Sequence, residues 1–302
     1  FLLRMLGLAV FFPFSDFQID SYRLETRTGG LPSTIRDQLP VFFVPPQQVS
    51  LLSLERARAQ AATLGFSFTP EEISPTLYRW RKNTPIPATL DIEIDTQSFT
   101  LSTSWATSPE LISRVNATQT QQISSTARNT LNQADLLLPD MATGEARISY
   151  LKSAGPELIP AISVSEAEFV QVDIFRRPIN GQFFILRESP SMGNARFIYS
   201  SSAARGIITI EASYRAAPID YTRFETYPLM TPQQAWQLLS TGEGFVANVD
   251  LGVRDVVVRD VILAYFDSTP TQEFLQPIYV FIGDRNFYGY VPAIDSRAVV
   301  FE

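Results

Sequence analysis

Closely spaced carboxylates are the residues of this chain whose type and spacing could do chemistry. Glu166 and Glu168 lie two residues apart, as do Asp91, Glu93 and Asp95. Side chains two apart share one face of a strand, and two acids that flank a glycosidic bond can hydrolyse it. Neither set lies beside an aromatic-rich glycine loop of the kind that forms a sugar cleft. The sequence therefore favours solvated strand faces over a hydrolase site, and it predicts no catalytic residue.

Aspartates also accumulate towards the end of the chain, where a cation site is the alternative to an ordinary solvated surface. They are Asp250, Asp255, Asp260, Asp267, Asp284 and Asp295. Calcium is bound by several carboxylate and carbonyl oxygens, but the chain has no D-x-D-x-D-G loop. Asp255 and Asp260 flank a predicted strand. We expect turn and strand-face residues here, with no metal ligand and no cofactor-binding residue.

The composition excludes several classes of reaction centre. The 302 residues include neither His nor Cys, which removes Ser-His-Asp and Cys-His catalysis, histidine-bound catalytic metal and thiolate metal sites. The net charge of -7 disfavours nucleic acid as a partner, because binding phosphates requires clustered cations. Carboxylate, lysine and tyrosine chemistry remain open.

Aromatic residues near the C-terminal end form the candidate binding surface. Alternation places Tyr279 with Phe281 on one strand face and Tyr288 with Tyr290 on a face of the next strand, with Trp236 on a helix nearby. One interpretation is a core beneath the helix. The other is an exposed patch that binds a protein, because Tyr and Trp are enriched in binding hot spots. These five residues form the predicted protein-binding patch.

Three predicted helices organise the chain, over 50–64, 120–138 and 231–241. The first ends at Gly65, and Pro139 is expected to stop the second. The third begins with Thr231-Pro232-Gln233-Gln234, a capping box with proline at the first helical position. Two turns are also marked: Asp95–Ser98 between alternating strands, and Asn180-Gly181, which favours a type I′ hairpin.

Each predicted helix is followed by a group of amphipathic strands. This pattern predicts an α+β fold made of consecutive modules of antiparallel sheet, each covered by one helix. The boundaries are an N-terminal arm over 1–45 and modules over 46–115, 116–225 and 226–302. Residues 1–14 are apolar except for Arg4 and are too short to span a bilayer, which needs about 20 residues. They are either the outer end of a membrane anchor or a segment packed on the protein.

Two stretches resemble known families. The helix with Ala57, Ala61, Leu64, Gly65 and Phe66 resembles a PepSY-type module. The last module of the YycH/YycI group is similar to residues 225–295, through a set of helix and strand motifs. They are Tyr227-Pro228-Leu229, Ala235-Trp236, Leu239, Gly242, Leu275–Phe281 and Tyr290-Val291-Pro292. That group consists of extracytoplasmic regulators on a single membrane anchor, which restrain a sensor kinase through protein contacts and have no catalytic site.

The residues and the resemblance together predict a non-enzymatic, extracytoplasmic binding or regulatory protein. We expect it to be membrane-anchored or at the cell surface, and to act through protein–protein contacts. Its partners would be proteins, either membrane-associated ones or copies of itself, with no nucleic acid. The alternatives are a structural subunit of a cell-surface assembly and a carboxylate-dependent hydrolase of cell-wall or polysaccharide substrates.

Overall fold

The computed structural model describes residues 12, 17–32, 36–84, 86–115, 117–202, 206–268 and 272–295. These residues form seventeen strands and four α-helices. The helices are α1 (Ser53–Thr63), α2 (Ala117–Gln133), α3 (Pro139–Ala142) and α4 (Pro232–Ser240). The strands are β1 (Ser21–Leu24), β2 (Gln38–Phe43), β3 (Glu71–Glu72), β4 (Leu77–Lys82), β5 (Ala88–Glu93), β6 (Phe99–Thr103), β7 (Ala146–Ala154), β8 (Glu157–Pro160), β9 (Phe169–Ile174), β10 (Ile185–Leu186), β11 (Ala195–Ser202), β12 (Gly206–Tyr214), β13 (Asp220–Pro228), β14 (Phe245–Asn248), β15 (Asp255–Phe266), β16 (Phe274–Gly283) and β17 (Tyr288–Pro292).

The predicted α+β fold of helix-covered modules is wrong. The described residues are β-rich, with seventeen strands against four α-helices, and the strands form two large sheets. Strand β6, which was expected in the first module, pairs with β12 of the expected second module. Strand β2, from the expected N-terminal arm, pairs with β13 and β16. Alternation along a strand predicts that the strand forms and which of its faces is buried. It does not predict the neighbouring strand, because main-chain hydrogen bonds can form with any strand of the chain.

Contacts divide the chain into two units, and the first contains 1–46, 178–191 and 218–302. Its eight-stranded sheet is built on the antiparallel pair β15 and β16, followed by β17 and β14. Strands β1 and β10 pair in parallel with opposite ends of β15, while β2 pairs with the beginning of β16 and carries β13 on its other side. One face of this sheet buries an apolar cluster that includes Phe266, Val280 and Tyr290.

The second unit contains 47–177 and 192–217 and has a nine-stranded sheet. The strand order is β3-β4-β5-β6-β12-β11-β9-β7-β8, with every neighbouring pair antiparallel. Helices α1 and α2 cover one face, where Ala61 and Leu131 join the main apolar cluster. The opposite face holds a smaller cluster around Trp105 and Phe169. Complete burial of one such large apolar side chain stabilises the fold by about 1.5–3 kcal/mol.

Two buried carboxylates also hold the nine-stranded sheet to its loops. Asp140 pairs with Arg176 at 2.6 Å, and the Arg176 side chain has no exposed area. A second nitrogen of Arg176 donates to the Ala217 carbonyl at 2.5 Å. Asp173 accepts hydrogen bonds from the Gly193 amide at 2.9 Å and from Arg196 at 2.7 Å. Because a buried charge is tolerated only when it is paired, these contacts fix the positions of the connecting segments.

Several local predictions are confirmed. Thr231 and Gln234 form the reciprocal capping box at the start of α4, and Gly65 follows α1 with φ +83°. Strands β5 and β6 are antiparallel neighbours joined by the Asp95–Ser98 turn. The prediction that Pro139 ends the second helix is wrong. Helix α2 stops at Gln133, two residues before Asp135 adopts φ 57°, and Pro139 instead begins α3.

Candidate functional site

The candidate site lies along β13, an edge strand of the first unit. Seven of its nine residues are exposed and the other two are partly buried. Within the described residues it pairs with one strand, β2. The sequence Asp-Tyr-Thr-Arg-Phe-Glu-Thr-Tyr-Pro mixes strand-forming Tyr, Thr and Phe with charged side chains, so it favours an extended chain without a buried face. A strand of this kind offers both faces and one edge to a partner.

The outer edge of β13 presents main-chain groups that do not point at β2. The Leu229 amide donates to the Asp37 carbonyl at 2.8 Å, and the register continues with Tyr227 opposite Leu39 and Glu225 opposite Val41. Hydrogen-bonding direction alternates along an antiparallel strand. The main-chain groups of Glu225 and Tyr227 therefore face β2, and those of Phe224 and Thr226 face away from it. This is the geometry that accepts an added strand.

A bulge interrupts the pairing of β13 near its beginning. Asp220 lies opposite Phe43, but the next paired residue is Phe224, so residues 221–223 have no opposite residue on β2. The Asp220 carboxylate accepts from the Thr222 amide at 3.0 Å and from its hydroxyl at 2.6 Å. The hydroxyl contact is the main cause that lowers the pKa of Asp220. The bulge is thus held by an ionised side chain of the strand itself.

A groove of about 320 Å³ runs along one face of β2 and β13. It is lined by Val41, Phe43, Arg223, Phe224, Glu225, Tyr227 and Phe274. The Arg223 guanidinium lies 3.9 Å from the centre of the Phe43 ring, which orients its planar fork. The Tyr227 hydroxyl donates to a Glu225 carboxylate oxygen at 2.7 Å. Burial, followed by this hydrogen bond, raises the pKa of Tyr227 to about 12.

Two aromatic rings of β13 are exposed and pack on Phe42 of β2. The Tyr221 ring centre lies 5.5 Å from that of Phe42, and the Phe224 ring centre lies 5.7 Å from it. Tyr221 is 37% exposed and Phe224 is 53% exposed. Phe42 itself is buried and packs on Tyr265, whose hydroxyl donates to the Pro40 carbonyl at 2.8 Å. The exposed rings are therefore supported by a fixed core, as binding anchors are.

The five aromatic residues predicted as a binding patch do not share one surface. Tyr279, Phe281 and Tyr290 are fully buried, while Trp236 and Tyr288 are partly buried. Trp236 of α4 contacts Phe281 at 5.8 Å. Tyr290 lies on the other face of the sheet, in the cluster that Tyr288 packs against. Alternation in the sequence identified which residues share a face of each strand. It could not identify which faces of neighbouring strands lie on the same side of the sheet.

The predicted carboxylate pairs are each occupied by structural contacts. Glu166 pairs with Lys152 at 2.9 Å, and this contact is the main cause that lowers its pKa. Glu168 accepts from the amide and hydroxyl of Ser153 at 2.7 and 2.6 Å. Asp91 forms a two-pronged bond with Arg79 at 2.7 Å. A general acid requires a raised pKa, and Glu166 shows the reverse.

The other two acids of the alternating strand also bond within their own turn. Glu93 accepts from the Thr96 hydroxyl at 3.2 Å, and Asp95 accepts from the Thr96 amide at 2.8 Å. Both bonds lie at the Asp95–Ser98 turn. These carboxylates fix the connection between β5 and β6.

The late aspartates spread over turns and strand ends of the first unit. Asp284 pairs with Arg259 at 2.6 Å, which lowers the pKa of this carboxyl. Asp250 accepts from Asn286 at 2.7 Å, and Asp255 accepts from the Ser21 hydroxyl. Asp260 is exposed on β15, Asp267 is buried just after that strand, and Asp295 donates its amide to the Pro228 carbonyl. Over the described ranges, no three acidic side chains gather closely enough to hold a metal ion.

The predicted N-terminal membrane anchor falls outside the described residues except for Phe12. The Phe12 ring stacks on Phe245, with centres 5.3 Å apart, and also contacts Phe266 and Tyr290. Among the helices that the structure describes, none has the length and apolar character needed to cross a membrane.

Sequence reasoning missed the β13 edge. The available signal was the run of strand-forming residues Tyr221, Thr222, Phe224, Thr226 and Tyr227 ahead of Pro228. That run lacks apolar alternation, because neither of its faces is buried in a core.

Comparisons with known proteins find little. The chain matches no protein-family model and no curated protein. Among solved structures, it is similar to an uncharacterized protein from Eubacterium rectale, with 10% sequence identity and a TM-score of 0.39. The match covers 94% of this chain and 92% of the other. Similarity at this level carries no information about function.

Proposed function

We propose that this is a non-enzymatic binding or regulatory protein that acts through protein–protein contacts at the outer edge of β13. The observation that carries the proposal is a nine-residue strand with no buried residue, paired on one side and flanked by an aromatic groove. An edge strand presents a row of unpaired main-chain groups to which a further strand can bond. This one offers outward main-chain groups at Phe224 and Thr226.

An extended protein segment fits this site better than a small molecule does. The lining includes the aromatic residues Phe43, Phe224 and Phe274, one cation, Arg223, and one carboxylate, Glu225. Main-chain bonds to the edge would give affinity, and pockets for alternate side chains would give specificity. We also propose an extracytoplasmic location, based on the resemblance of residues 225–295 to the YycH/YycI group.

Selection from a phage library of random linear peptides tests the proposed site. We expect the selected peptides to bind the wild-type chain and to lose about tenfold or more in affinity for Phe224→Glu and Thr226→Pro. The first change removes an anchor ring, and the second removes one outward amide. Leu251→Glu is the control, because Leu251 is 99% exposed on a turn of the same unit. Peptides whose binding ignores both β13 variants would show that the contact surface lies elsewhere.

A further inference from the structure

The exposed part of β13 has a symmetric sequence. Residues 221–227 read Tyr-Thr-Arg-Phe-Glu-Thr-Tyr. Read backwards, the same residues appear in the same order, except that Arg and Glu exchange places. Phe224 is the centre of this sequence.

Antiparallel pairing of this strand with itself places complementary side chains opposite each other. When Phe224 lies opposite Phe224 of a second copy, Arg223 lies opposite Glu225 of that copy. The two-fold symmetry of such a contact repeats the same pair on the other side. Directly opposite residues have Cβ atoms about 4.5–5.5 Å apart, close enough for an ion pair. A shift of the register by two residues would lose this match.

The main-chain groups of β13 suit the same register. Phe224 and Thr226 have their main-chain groups on the outer edge, as the pairing with β2 requires. The two copies of Phe224 would then exchange a pair of N–H···O=C bonds. The Thr226 amide would point to the Thr222 carbonyl of the second copy. Residues 221–223 have no opposite residue on β2. The Thr222 amide donates to the Asp220 carboxylate, so the proposed register uses the Thr222 carbonyl.

The two charged side chains are fixed in place before any contact is made. Arg223 is stacked on Phe43, and Glu225 is held by the Tyr227 hydroxyl. Among ion pairs of the described residues, neither Arg223 nor Glu225 takes part in one. A preorganised pair of opposite charges loses little side-chain entropy when it meets its complement.

We propose that two copies of this chain associate by antiparallel pairing of their β13 strands about a two-fold axis at Phe224. The inference rests on the proposed function of the β13 edge and names its partner as a second copy. Two Arg223–Glu225 pairs, one on each side of the axis, set the register and exclude other edges. In the alternative prediction, a structural subunit of a cell-surface assembly, this β13–β13 pairing would be a contact between subunits.

Charge exchange at the two positions tests the proposal. Sedimentation velocity of the full 302-residue chain at low salt should show a concentration-dependent dimer. The R223E and E225R variants each place like charges opposite one another twice, so each should weaken the dimer by about 10- to 30-fold. An equimolar mixture of the two variants should recover the dimer, because every opposite pair in the mixed species is again complementary. The double variant R223E/E225R should also recover it.

Two further variants serve as checks. R285E makes the same change of charge at an exposed turn residue of the same unit and should leave the dimer unchanged. T226P deletes an outward amide without removing a bond to β2, and it should weaken the dimer by about tenfold. Circular dichroism of every variant should match that of the wild-type chain, because all the changed residues are exposed.

Three results would overturn the proposal: a wild-type chain that stays monomeric, variants that dimerise as well as the wild type, or a mixture that does not recover association. If the chain is monomeric but peptide binding still depends on Phe224 and Thr226, self-association fails and the proposed function stands. If neither assay depends on β13, both proposals fail.

Discussion

The buried ion pair between Asp140 and Arg176 gives the most quantitative prediction about the second unit. The Arg176 side chain has no exposed area and that of Asp140 is 8% exposed, with 2.6 Å between their charged atoms. Asp140→Ala leaves the guanidinium buried without this carboxylate. Removal of one member of a buried pair costs about 3–5 kcal/mol of unfolding free energy. That is a large part of the about 5–15 kcal/mol that stabilises a typical domain.

The double variant separates this charge effect from a simple loss of packing. Asp140→Leu with Arg176→Met removes both charges and keeps most of the side-chain volume. We expect it to cost about 0–2 kcal/mol, less than Asp140→Ala alone, because no uncompensated charge remains. The exposed pair of Arg147 with Glu145 provides the control: Arg147→Met should cost less than about 0.5 kcal/mol.

Urea denaturation followed by tryptophan fluorescence measures these differences. Trp80 and Trp105 are both buried in the second unit, with 1% and 4% of their surface exposed, so their emission reports its unfolding. Trp236 belongs to the first unit, and a Trp236→Phe background removes its signal. The reasoning is refuted if the double variant costs as much as Asp140→Leu and Arg176→Met measured singly and added, or if Asp140→Ala behaves like the exposed control.

Two other changes test close packing and the titration of a buried phenol. A Cβ atom at Gly144 would lie 1.8 Å from the Phe175 carbonyl oxygen, whereas one at Gly30 would meet nothing within 4 Å. Gly144→Ala should therefore lower the unfolding free energy by about 3 kcal/mol and Gly30→Ala by less than about 0.5 kcal/mol, and equal thermal shifts would contradict the packing. Burial raises the pKa of Tyr279 to about 12, so above pH 10 the unfolded chain loses a proton that the folded chain keeps. Tyr279 should therefore lower the free energy of unfolding by about 1.4 kcal/mol per pH unit between pH 10 and 12. In urea titrations over this range, Tyr279→Phe should reduce the dependence of the unfolding free energy on pH by that amount. Equal slopes for both chains would contradict a raised pKa.

The amino-acid sequence by itself determined the local features. Thr231 with Gln234 predicted the start of α4, and Gly65 predicted the left-handed residue after α1. The Asn180-Gly181 turn has positive φ at both residues, as predicted. Each of these features depends on hydrogen bonds and steric limits within a few neighbouring residues, so a short stretch of sequence is sufficient to specify it.

Only the tertiary structure decided which strands meet and therefore where the candidate site lies. Ile179 and Phe183 form a bridge across the Asn180-Gly181 turn, yet β9 and β10 on its two sides belong to different sheets. Likewise, residues 220–228 form an exposed edge because β2 pairs with them on one side and with β16 on the other. Main-chain hydrogen bonds are alike for every strand, so the choice of partner depends on which apolar faces are buried together across the whole chain. The apolar faces that are buried together come from residues far apart in sequence, so no local sequence pattern identifies the pairing.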